Sequence, residues 1–192
     1  MELEFSSKKH KTLLEIFMEE IFILRHGQAE DLSSLNAKND FDRRLTEEGK
    51  EKTQKLGLFF LKLSENIDLV LSSPYLRAKE TAELFAKSLS PTPIIKTVDF
   101  LSCGASCKDI SKGLLPYSSH KKIVLVGHSP DLELFLGKLI GADRIKLKKG
   151  SFAKVSLNNN IELAGDLEWL ITPKLVKKFK PKQKSSNIEN KV

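Results

Sequence analysis

Ile21-Phe22-Ile23-Leu24-Arg25-His26-Gly27 is the stretch on which the fold of this chain turns. Four apolar residues run without interruption and stop on an arginine and a histidine. A short continuous apolar run of this kind reads as a strand buried on both faces. The construction recurs twice. Ile67 to Leu71 leads into Ser73-Pro74-Tyr75-Leu76-Arg77, and Ile123 to Val126 leads into Gly127-His128-Ser129-Pro130. Each stretch delivers an arginine or a histidine within six residues of its strand end: Arg25 and His26, Arg77, and His128.

Helical patterns separate the runs. Thr46 is placed to cap a helix with Glu47 and Glu48 in its first turn, where the dipole favours acids. Leu56, Phe59, Phe60 and Leu63 give that helix its apolar face. Ser73-Pro74 and Ser129-Pro130 read as cap and first helical residue of two more helices. Ile94 to Val98, Ala153 to Leu157 and Leu167 to Ile171 read as further strands, the last two joined by a loop through Asn158, Asn159 and Asn160. A helix is expected over Asp109 to Leu115, and Glu30 to Arg44 reads as a loop over the strand ends. Strands alternating with helices predict an α/β domain: three layers, α/β/α, with a mainly parallel central sheet.

Composition narrows the classes. The net charge of +7 invites a nucleic-acid reading, but Pro173 to Val192 holds seven lysines against one glutamate, leaving about +1 elsewhere. Basicity therefore belongs to a tail, and nucleic acid is not the expected partner. The expected organisation is an N-terminal extension over residues 1–20, one domain over 21–172 and a disordered basic tail over 173–192. The apolar run Leu56 to Leu61 is too short to span a bilayer, and Glu15, Glu19 and Glu20 interrupt the N-terminal stretch, so no membrane span or secretory signal is expected. Cys103 and Cys107 lack a second Cys or His pair to complete a zinc set and read as free thiols of a cytoplasmic protein.

Ligands of open α/β sheets sit outside the carboxyl ends of the strands. His26, Ser73, Arg77 and His128 all fall at that edge, as does Arg25. Arginine forks and helix N-termini there suit a phosphoryl group. Guanidiniums around His26 would keep its ring neutral and able to attack phosphorus. Gly27 would let the backbone bend tightly at the strand end. His128 would neutralise charge on the equatorial oxygens, and Ser73 would add a phosphate contact. The arginines supply the positive charge, so the reading calls for no metal and no cofactor.

With these residues in place, the chain resembles the histidine phosphatase superfamily, the phosphoglycerate-mutase-like fold, whose signature is Arg-His-Gly at the end of the first strand. The resemblance spans Ile21 to Ile171. It implies that His26 is the nucleophile, Arg25 the signature arginine, Arg77 the second arginine and His128 the second histidine. Arg43-Arg44-Leu45-Thr46 resembles the family's Arg-Pro-Leu-Thr segment, which implies a substrate contact at Arg43. The short body is most similar to the SixA-type phosphohistidine phosphatases.

One departure bears on substrate. Many members carry a glutamate proton donor after the third strand, whereas Leu101-Ser102-Cys103-Gly104-Ala105 has no acid. An alkoxide leaving group needs a proton from a placed acid; an imidazole leaving from a phosphoramidate does not. The expected substrate is therefore protein phosphohistidine, with Glu30 and Asp131 as candidate donors if one is needed. The alternatives are a phosphomonoesterase acting on a small phosphorylated metabolite and a non-catalytic phosphate-binding relative.

Overall fold

Strand register brings the three motif ends together. A computed structural model describes residues 18–33, 39–63, 65–159 and 163–178. β1 (Glu20–Arg25), β4 (Lys122–Gly127), β2 (Leu69–Ser72) and β3 (Ile94–Thr97) pair in parallel, in the sheet order β3-β2-β4-β1-β5-β6. Arg25 lies opposite Gly127, and Ser72 opposite Val126. The next pairings hold too: His26 N–H donates to the Gly127 carbonyl at 3.0 Å and Ser73 N–H to the Val126 carbonyl at 2.9 Å. β5 (Phe152–Asn159) and β6 (Ala164–Ile171) extend the sheet antiparallel beyond β1. Asn158 and Asn159 thus continue β5 rather than open the expected loop.

Alternation along the buried strands builds two cores, because successive side chains point to opposite faces. Ile21, Ile23, Leu69, Leu71, Ile123 and Leu125 face α3 (Cys107–Leu114) and α4 (Asp131–Leu139). Phe22, Leu24, Val70, Val124 and Val126 face α1 (Glu47–Leu61) and α2 (Leu76–Lys87). The second core is aromatic: Phe22 meets Phe60 edge-on at 5.4 Å, and Phe152 lies 5.1 Å from Phe85. Trp169 is only partly buried, packing 5.3 Å from Phe152. The expected three-layer α/β/α architecture stands. Truncating one such buried phenylalanine to alanine costs about 3–5 kcal/mol.

The helix starts divide into those the sequence located and those it misplaced. Thr46 caps α1, its Oγ1 accepting from Gly49 N–H at 3.0 Å. Ser106, unforeseen, caps α3 through a reciprocal box with Asp109. Ser73-Pro74 does not open α2: Ser73 is still held to β4, so the helix starts at Leu76 with no side-chain cap. Likewise α4 starts at Asp131, after a cis Ser129–Pro130 bond, and Ser129 does not cap it.

The tail boundary also moves. Pro173–Lys178 forms α5, which packs on α1 through the buried Val176. An apolar valine at that spacing gains by covering α1, which disorder would forgo. The rest of the expected tail, residues 179–192, and residues 1–17 of the expected extension lie outside the described residues. Met18 is buried in the core. Among the described residues, no helix is long and apolar enough to cross a membrane.

Gly27 and Gly49 fix how close α1 comes to the end of β1. Gly27 has no left-handed φ, so the expected tight bend is not its reason for being glycine. Space is. A Cβ there would lie 3.0 Å from Thr53 Oγ1 and 3.3 Å from the Gly49 carbonyl. At Gly49 an added Cβ would overlap the Gln28 carbonyl outright. That carbonyl accepts from Thr46 N–H at 2.9 Å, so the start of α1 is seated on the residues following His26.

Candidate active site

Two imidazoles meet at the carboxyl edge of the sheet. The rings of His26 and His128 lie 5.2 Å apart, and both residues are buried. His26 Nδ1 is 2.7 Å from the Gly27 carbonyl. A carbonyl only accepts, so Nδ1 carries the proton and the neutral ring keeps its lone pair on Nε2. Gly27 N–H in turn donates to Thr81 Oγ1 at 3.1 Å, tying this turn to α2.

His128 is held from outside its own strand. Arg77 Nη2 lies 3.4 Å from its Nδ1, and Ser73 Oγ lies 2.8 Å from its Nε2. A guanidinium only donates, so Nδ1 accepts and Nε2–H donates to Ser73. The Tyr75 ring meets His128 edge-on at 4.8 Å and lies under the Arg77 guanidinium at 4.8 Å.

Burial is the main reason both rings resist protonation. It pushes His26 down to about 3, helped by His128, Arg77 and Arg25 against the Gly27 hydrogen bond. His128 falls to about 4 through burial and Arg77, with Asp40 pulling the other way. The sequence reading credited the guanidiniums alone; they act behind burial and, at His26, behind His128 as well.

The arginines are oriented by groups the sequence did not flag. Arg25 Nη1 donates to the Leu147 carbonyl at 2.6 Å and stands 4.0 Å from Glu133, itself buried and accepting from Leu147 N–H. Arg77 donates to the Asp40 carbonyl and, at 3.0 Å, to its carboxylate. Arg43 reaches the other carboxylate oxygen at 2.8 Å and the Glu30 carbonyl at 2.6 Å. Burial would raise the Asp40 pKa, but the hydrogen bonds from Arg43 and Arg77 outweigh it and hold the carboxyl below its ordinary value. What remains of Arg25 and Arg77 is an unpartnered, buried Nε in each. A buried donor without an acceptor is costly, and two of them beside two histidines suit an oxyanion.

The expected residues divide accordingly. His26, Arg25, Arg77, His128 and Ser73 are brought together; Arg43 joins through Asp40 rather than directly. Glu30 enters through its main chain, accepting from Arg43 and donating to the Arg44 carbonyl at 2.9 Å. Asp131 turns to the loop after β3, accepting from Gly104 N–H at 2.8 Å; burial raises its pKa against the Gly104 and Ala105 hydrogen bonds. Cys103 is a free thiol 3.4 Å from Arg77 Nη2. Among the described residues, no group of three or more His, Cys, Asp or Glu could hold a metal ion. Asp40 carried a sequence signal that went unread, a carboxylate three residues before the Arg-Arg-Leu-Thr segment. Glu133 and Tyr75 carried none that separates them from ordinary helix and turn residues.

Comparison with known proteins bears on family and fold. The family model described as histidine phosphatase superfamily (branch 1) matches residues 21–102. An uncharacterized protein of Picosynechococcus sp. is 31% identical over 129 residues, covering 59% of this chain and 68% of that protein. The mitochondrial serine/threonine-protein phosphatase PGAM5 of Xenopus laevis is 35% identical over 88 residues, 46% of this chain but only 30% of that protein. Among solved structures, the protein histidine phosphatase SixA complexed with tungstate superposes with a TM-score of 0.73 at 24% identity, covering 82% of this chain and 99% of that one. A phosphoserine phosphatase of Entamoeba histolytica gives a TM-score of 0.58 at 18% identity, over 81% and 98% of the two chains. At such identities the superpositions establish the phosphoglycerate-mutase-like fold, and the sequence matches establish the kinship: the chain belongs to the histidine phosphatase superfamily.

Proposed function

We propose that the protein hydrolyses a phosphoryl group through a phosphohistidine on His26, and that its substrate is phosphohistidine on another protein. One observation carries this reading. His26 donates its Nδ1–H to its own neighbour's carbonyl, leaving a neutral Nε2 beside a second imidazole and two unengaged arginine N–H donors. Neutral imidazole nitrogen attacks phosphorus in line, and the arginines and His128 take up charge on the equatorial oxygens.

The first step forms the His26 Nε2–phosphorus bond and breaks the bond from phosphorus to the substrate imidazole. The departing ring takes its proton at the far nitrogen from solvent, so no internal acid is required. Water then attacks the same phosphorus and gives up a proton, and the His26–phosphorus bond breaks to release inorganic phosphate. The stretch Leu101 to Ala105 after β3 supplies no carboxylate of its own, which favours a leaving group of this kind.

A phosphomonoesterase acting on a small metabolite is the second reading, and Asp131 is what favours it. Its buried carboxyl, with a raised pKa, leans on that same loop and could donate to an alkoxide if the loop shifted. The likeness to a phosphoserine phosphatase points the same way. Either reading takes a phosphorylated protein or metabolite as partner; the cytoplasmic setting is proposed beside them, with no part for nucleic acid.

The test is to trap the intermediate. The full chain incubated with phosphoramidate and quenched in alkali should carry an acid-labile phosphoryl group on His26, absent from His26→Ala. Turnover should be faster on phosphohistidine peptides than on alkyl phosphates. A label mapping elsewhere ends the mechanism, and faster alkyl-ester turnover selects the second reading.

A further inference from the structure

Four rings stand in a row from the nucleophile outward. His26 lies 5.2 Å from His128, His128 4.8 Å from Tyr75, and Tyr75 4.9 Å from Phe41. Phe41, the outermost, is 43% exposed. It sits on the short 3-10 turn Asp40–Asp42, in an otherwise polar loop. We infer that the Phe41–Tyr75 pair is the platform against which the substrate's leaving group rests, and that it selects flat aromatic leaving groups, imidazole included, over alkyl ones. The inference rests on the phosphatase reading above and names what that site prefers.

The argument is one of attachment. An exposed phenylalanine is ordinary by itself; this one is fastened to the phosphate-binding apparatus. Its neighbour Asp40 is gripped by Arg77 and Arg43, so the turn that carries Phe41 is fixed relative to the guanidinium that would hold the phosphoryl group. Tyr75 is fixed by the same guanidinium, stacked on its ring. The ring wall and the phosphate donors therefore move as one unit.

Aromatic rings attract a further ring in offset or edge-on contact at centroid separations of about 4.5–7 Å, a geometry the row already adopts. A leaving imidazole or aryl group resting on the Phe41–Tyr75 pair would extend it. Ammonia or a small alkyl alcohol would leave the platform uncovered. Positioning a leaving group near the line of attack also lowers the entropic cost of the step.

Two substrates with the same phosphorus–nitrogen bond separate the ring from the chemistry: N-phosphorylimidazole, whose leaving group is aromatic, and phosphoramidate, whose leaving group is ammonia. The ratio of their kcat/KM values is measured in the full chain for wild type, Phe41→Leu and Phe41→Trp. Leucine keeps apolar bulk without a π face; tryptophan restores one. The ratio should fall about fivefold in Phe41→Leu, the effect of one ring contact of ordinary strength, and recover in Phe41→Trp. An unmoved ratio overturns the platform, whether both substrates hold steady or both decline together, as does a Phe41→Trp ratio no better than that of Phe41→Leu. His26→Ala on the same pair keeps the two ideas apart. Turnover persisting in that variant condemns the underlying phosphatase reading, whereas turnover lost there with an unmoved Phe41 ratio condemns the platform alone.

Discussion

The ends of β1 and β4 lie side by side in register, and each delivers a histidine, yet the two are held in opposite ways. His26 is fastened by its own chain: Nδ1 to the next residue's carbonyl, and main-chain N–H to Gly127. His128 is fastened by side chains from the end of β2 and the start of α2, with both nitrogens engaged, one by Ser73 and one by Arg77. The difference is the one the proposed mechanism asks of a nucleophile and a charge stabiliser. A ring anchored through one nitrogen keeps the other free to attack. A ring anchored through both can change its proton inventory when an anion arrives but is badly placed to form a bond.

Substitution at the two positions gives the largest expected contrast. His26→Ala should lose about 10⁴-fold or more in kcat, as removal of a nucleophile does. His128→Ala should lose about 10²- to 10³-fold, as loss of a charge-stabilising donor does. Phosphoramidate turnover measures both. Equal losses would erase the distinction, and a labelled His128 in the alkali quench would reverse it.

Stability against pH is the next lever. Both histidines have folded pKa values, about 3 and about 4, below the ordinary 6.5 of the unfolded chain. Between pH 6.5 and about 4 the unfolded state therefore binds protons that the folded state excludes. Folding stability must then fall as pH falls, by up to about 1.4 kcal/mol per pH unit for each ring. The His26→Gln/His128→Gln double variant should lose less stability than wild type between pH 6.5 and 4.5 in urea unfolding. An identical slope would mean that the rings titrate normally and that burial does not hold them neutral.

The smallest expected effect sharpens the contrast from the support side. Ser73→Ala removes the acceptor of His128 Nε2–H and leaves every contact of His26 in place. We expect about a five- to tenfold drop in kcat, the worth of one hydrogen bond to a buried ring, with alkali-stable labelling of His26 still detectable. Loss of labelling would mean that the two rings are not independently anchored.

Much of this architecture was legible beforehand because it rests on local pattern. Uninterrupted apolar runs at 21–24 and 123–126 could only be buried strands, and the residues after them had to share an edge if those strands were parallel. Thr46 was readable as a cap because its hydroxyl serves an amide three residues away. The failures share a cause too. Ser73-Pro74 and Ser129-Pro130 look like helix starts locally, but at Ser73 the chain is still paired to β4 and its hydroxyl is taken by a histidine 55 residues distant. Asp40, Glu133 and Tyr75 reach the site through partners far along the chain, Arg77, Arg25 and His128 respectively, and a linear pattern does not encode which arginine a carboxylate will meet. Val176 was lost among lysines because the few apolar residues there, Leu175, Val176 and Phe179, are too short a run to declare a period.

Gly49 shows how far from the chemistry a constraint on it can sit. It bears no functional group and would touch no substrate, yet any methyl placed there would be driven into the carbonyl two residues after His26. A saturation survey would flag position 49 alongside the histidines, and a reader scoring tolerance alone would mistake a spacer for a reagent. The way to tell them apart is chemical rescue: imidazole supplied in solution can stand in for a missing ring, but nothing supplied in solution can make room.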